Sequence, residues 1–165
     1  MATGLLTAAY SLHLAATAVW MGGLIFLSLV LPGQLARLPV EQRQSLIDSA
    51  VRRFLPVAWL CFAVFVGTGL TQMASSPNYE GLLAVGNTWA AAILTKHIVI
   101  GAMVALLAYQ TWILRPRIER YALGLEKLDP NTIAVLRRRD LLLLRISVVL
   151  ASVVLILTAV ARANA

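Results

Sequence analysis

Polar residues are bunched along this chain, and between the bunches lie four apolar runs, about residues 5–31, 54–74, 89–114 and 141–161. A helix needs about 20 apolar residues to cross a hydrocarbon layer roughly 30 Å thick, and in lipid its backbone groups must be satisfied within the segment. The pattern therefore predicts an all-α, integral membrane four-helix bundle. Pro32-Gly33 predicts the end of the first helix, and Leu38-Pro39 a restart. Over about 40–53, Leu46, Ile47, Ala50, Val51 and Phe54 share one side while Glu41, Arg43, Asp48 and Arg52 lie elsewhere, which predicts a short amphipathic helix on the membrane surface. Pro56 falls in the first turn of the second span, where a missing N–H is tolerated. Asp129-Pro130-Asn131 reads as a helix start that precedes entry into the membrane near Leu141. No internal repeat or low-complexity tract is visible.

Composition agrees with the pattern: 60% of the 165 residues are hydrophobic and 13% charged, with mean hydropathy +0.83. One domain of residues 1–165 fills the length, leaving only short connections. Eleven of the fourteen basic residues sit in two connections, Arg37, Arg43, Arg52 and Arg53 in one and Arg115, Arg117, Arg120, Lys127 and Arg137-Arg138-Arg139 in the other. The N-terminus and the 75–88 connection have none. The positive-inside rule then places both termini and that connection outside, with the protein in the cell's inner (plasma) membrane. The net charge of +7 lies beside spans and without interleaved aromatics, so it points to anionic lipid and not to nucleic acid. The first run lacks a positive leader and an Ala-x-Ala site and is expected to be retained. A single Cys, Cys61, excludes an internal disulfide and any Cys-x-x-Cys motif. No Ser/His/Asp set, phosphate loop or paired carboxylate supports hydrolase or transferase chemistry.

Two histidines interrupt the apolar runs, and an ionisable group at membrane depth is costly unless it faces the interior and does something there. His13 shares a helix face with Ala16, Thr17 and Trp20, and Gly22-Gly23 follow. His97 follows Thr95-Lys96 in the third span. The first and third spans run in the same direction, and each histidine falls about eight residues in, or about 12 Å below the outer surface. Thr68 of the antiparallel second span comes to about 9 Å. Matched depth on parallel helices fits bis-histidine ligation of a b-type haem, with His13 and His97 axial to the iron. Gly67, Gly69 and Gly101 would clear the macrocycle, Thr17, Thr68 and Trp20 would border it, and Lys96 would reach the propionates. Such a protein would move electrons or react with a small molecule, with a redox partner. The alternative metal is copper on the same histidines, joined by Met73 near the outer end. Met21, Met103 and Cys61 fall deeper, about 20–24 Å down, but Met103 lies about 120° around the helix from His97 and is expected to point elsewhere. The plainest reading gives the histidines only interhelical hydrogen bonds, in a structural subunit of a larger membrane complex or an oligomer.

His13-Leu-x5-Trp20-x-Gly22-Gly23, Arg53-Phe54 leading to Gly67-Thr68-Gly69-Leu70, Leu94-Thr95-Lys96, and Arg137-Arg138-Arg139 before the last apolar helix together resemble the copper resistance protein D family. The resemblance covers nearly the whole chain through short motifs. It implies a membrane role in copper uptake or homeostasis beside a periplasmic copper-binding partner. The first-helix histidine and third-helix lysine are also similar, more faintly, to the haem-binding membrane protoporphyrinogen oxidases.

Overall fold

The structure, a computed structural model, describes residues 2–77, 79, 81, 86, 88–127 and 129–163. Among them every regular element is helical. Four rods account for nearly all of it: α1 (Gly4–Arg37), α2 (Val40–Ala74), α3 (Thr88–Ala122) and α4 (Pro130–Ala163), each long and apolar enough to cross a membrane. The chain is a multi-pass membrane protein. Rods of 34 or 35 residues are about 51 Å long, so each projects beyond the apolar layer. The 75–88 connection falls largely outside the described residues.

Two of the expected helix breaks are absent. Pro32 does not end α1, because a π-helical turn, Phe26–Val30, precedes it and the rod continues through a 3-10 turn, Leu35–Arg37. The Ser28 carbonyl, one turn before the proline that offers no N–H, accepts instead from Arg145 Nε at 3.5 Å. Residues 40–53 do not form a separate helix either; they are the first turns of α2, which passes through Pro56 unbroken. The amphipathic face found its cover in protein: Val51 is fully buried, and Asp48 pairs with arginines of two other helices. The start of α4 is as expected, with Asn131 N–H donating to the Asp129 carboxylate at 3.0 Å and Ile133 N–H to its carbonyl at 3.2 Å.

A correspondence between α1 and α3 emerges that inspection of the sequence did not reveal. A second π turn, Gln110–Leu114, precedes Pro116 as the first precedes Pro32. These turns, the prolines and His13 and His97 are each separated by the same 84 positions. The matched placement of the histidines along α1 and α3 is thus part of a repeated helix design.

α1 packs along α2, α3 along α4, and the two hairpins meet through α1 and α4. α2 and α3 are joined chiefly by side chains. Trp59 stacks on Trp112 at 5.3 Å and donates Nε1–H to Thr111 Oγ1 at 3.1 Å. Towards the basic end, Arg115 donates to Asp48 at 3.3 Å and to Asp140, while Arg137 donates to Asp48 at 3.0 Å and to Gln44. Gln110 Nε2 donates to Asp140 Oδ1 at 3.0 Å. Two arginines and two aspartates balance, which lets Arg115 and Asp140 remain almost wholly buried. At the opposite end a small cluster of Met73, Trp89, Ala90, Ala92 and Ala161 closes the bundle. Gly23 lies against the Phe54 ring, which a Cβ there would force aside.

Candidate functional site

Between the Trp59 contact and the Met73 cluster the helices part around a cavity of about 760 Å³. Each rod offers it a stripe at steps of three and four, the facing pattern of a bundle helix. On α1 the stripe is Tyr10, His13, Leu14, Thr17, Trp20 and Met21; on α3 it is Trp89, Ile93, Lys96, His97, Ile100, Met103 and Val104. α2 supplies Phe62, Phe65, Val66, Gly69, Gln72 and Met73 among others, and α4 contributes Ala151, Val154, Thr158, Ala161 and Arg162.

Both histidines are fixed in the same sense. Thr68 Oγ1 spends its proton on the Val64 carbonyl at 2.6 Å, so at 2.7 Å it accepts from His13 Nδ1–H. The His97 Nδ1–H donates to the Ile93 carbonyl at 2.7 Å. In each neutral ring Nε2 is then the nitrogen with a free lone pair. This is how proteins prepare imidazole for a metal, the Nδ1 bond fixing tautomer and orientation. The His13 ring also rests against Phe65, centroids 5.1 Å apart, and Trp20 meets Phe62 and Phe65 edge-on at 5.2 and 5.9 Å.

The other expected site residues divide. Lys96 and Trp20 line the cavity, as does Met73. Thr68 is buried behind His13 and acts through it. Thr17 lines the cavity but donates its proton to the His13 carbonyl at 2.8 Å, so it supports neither ring. A Cβ on Gly69 would stand 3.8 Å from His13 Cε1, in ordinary contact. Gly67 and Gly101 need correction: both are exposed, and a Cβ on either would meet nothing within 4 Å, so they clear no space inside the bundle. The orientation of Met103 also differs from expectation. It lines the same cavity as His97, because the α3 stripe is two residues wide and a 120° offset falls within the arc of so broad a chamber.

Sequence reasoning passed over Phe62, Phe65, Tyr10 and Arg162, which lie in otherwise ordinary apolar or terminal stretches. Arg162 stands over the Tyr10 ring, 5.2 Å from its centroid. The signal for Tyr10 was its place three residues before His13 on the same helix face. Among the described residues no three His, Cys, Asp or Glu side chains cluster, so the donors available to a metal are imidazole and thioether.

Fold and cavity together define a four-span membrane protein with an imidazole- and thioether-lined chamber in its core. Residues 48–161 match the family model described as Copper resistance protein D, and the chain belongs to that family. No curated protein and no solved structure matches it. The matched region contains Met73, Lys96, His97 and the ion cluster, and begins after His13 and Trp20.

Proposed function

We propose that this protein handles copper in the membrane and that its chamber takes Cu(I), with His13 and His97 as nitrogen ligands and Met21, Met73 and Met103 as soft donors. One observation carries the reading: both histidines of the chain, and every methionine but Met1, line a single cavity. Thioether donors select the reduced ion, and neutral imidazole suits it. The basic residues set the histidine end of the bundle outward, so the ion is taken from the outer side, where a periplasmic copper-binding protein is the partner that family membership favours. The test is a Cu(I) titration of the detergent-purified protein against a competing chelator. Stoichiometric uptake that is lost in His13→Ala and His97→Ala is expected; uptake unchanged in both variants, or none in the wild type, rejects the site.

A second reading is bis-histidine haem b, favoured by the chamber's 760 Å³, far more room than an ion needs. The two free Nε2 atoms would be its axial ligands and Lys96 would meet a propionate. The outward-facing Gly67 and Gly101 weigh against it. A Soret band in the protein as purified selects haem, and colourless Cu(I) binding selects the ion.

A further inference from the structure

We infer that the chamber also holds a membrane-derived amphiphile with one acidic head group, a carboxylate or phosphate, seated on Lys96 with its apolar body among the aromatic walls. Charge is the first argument. Lys96 and Arg162 line the chamber, no described lining residue is acidic, and Lys96 has no ion-pair partner among the described residues. Among the described residues Arg162 meets the Tyr10 ring and pairs with no carboxylate. A cation in a low-dielectric wall is costly without a counter-charge, and a metal on the histidines adds positive charge instead of relieving it. The Lys96 side chain lines the chamber, and an anion seated there would supply the missing counter-charge.

Volume and access supply the rest. A chamber of about 760 Å³ walled by Trp20, Phe62, Phe65 and Val66 suits a hydrocarbon body, not a hydrated anion. Leu14, Val66 and Leu70 line it and are themselves more than half exposed, so the chamber communicates with the lipid-facing surface. The inference rests on Lys96 and the walls, not on the imidazoles, and stands or falls apart from the copper reading.

The experiment uses the full chain in mild detergent, washed free of lipid, with a fluorescent polyene fatty acid read by energy transfer from Trp20, Trp59 and Trp89, all of which line the chamber. The acid should bind saturably and at least about tenfold tighter than its methyl ester. Lys96→Met should reduce the acid to the level of the ester, and Lys96→Arg should keep the preference. Lysophosphatidic acid should displace the probe where the same concentration of inorganic phosphate does not. Equal binding of acid and ester by the wild type overturns the proposal even if Lys96→Met fails to fold. So does an undiminished preference in Lys96→Met. Displacement by inorganic phosphate assigns the site to a free anion and overturns the amphiphile, as does a Soret band in the protein as purified. His13→Ala should retain the acid preference even where it loses copper, which separates the two readings.

Discussion

Asp140→Leu removes one of the two carboxylates that hold Arg115. Arg115 is then left almost wholly buried with only Asp48, at 3.3 Å, a group already shared with Arg137 at 3.0 Å. The ion cluster passes from balanced to one uncompensated positive charge, and Gln110 loses its side-chain acceptor. Breaking a buried pair on one side costs about 3–5 kcal/mol, because the remaining charge keeps its desolvation penalty without its partner. For a domain of this length that corresponds to a fall in Tm of about 6–20 °C. Arg115→Met combined with Asp140→Leu removes both charges and should recover more than half of the loss, since apolar replacements of a whole pair are often neutral. Thermal unfolding in detergent, followed by circular dichroism, measures both variants and Arg115→Met alone. A loss below about 1 kcal/mol for Asp140→Leu, or a double variant as unstable as the sum of its singles, would refute the claim that this cluster ties the helices together.

Other outcomes follow from the same geometry. Thr68→Val removes the acceptor of His13 Nδ1–H and should weaken Cu(I) binding about 10–100-fold while leaving it stoichiometric; unchanged affinity would mean the hydrogen bond does not tune the ligand. Met103→Leu should lower Cu(I) affinity in the chelator competition while shifting stability by less than about 1.5 kcal/mol, and a variant with undiminished affinity excludes that sulfur as a donor. Gly23→Ala should cost about 1–3 kcal/mol by forcing the Phe54 ring aside, and Phe54→Leu in the same chain should restore part of it in the unfolding assay. Cysteine introduced at Tyr79 should react with an impermeant label in intact cells, as the positive-inside rule predicts from the distribution of arginines; reaction only after lysis would reverse the orientation.

The four helices were legible because apolar runs of spanning length have few other uses, and the histidines because a titratable group inside such a run is an anomaly. Their common chamber was not. Treating the site as a line down each helix excluded Met103, whereas the facing surface is a stripe wide enough to hold Lys96, His97 and Met103 together. Pro32 misled in a different way: it is a valid breaker in isolation and the rod continues past it through a π turn. Pro56, expected in a first turn, lies inside α2 because the segment before it has tertiary cover and extends the same helix. The ion cluster was hidden because its arginines were sufficiently explained as topology signals. Asp48 and Asp140 are far apart in sequence, and nothing local says that both face Arg115.

The ion cluster joins α2, α3 and α4 at one end, and the cluster of Met73, Trp89 and Ala161 joins the same three helices at the other, with the chamber between them. Mechanically the bundle is a bow pinned at both ends, one pin charged and one apolar. Between Asp140 and Ala161 the pins stand about 32 Å apart along α4. The width of the chamber therefore rests in part on charges that do not line it.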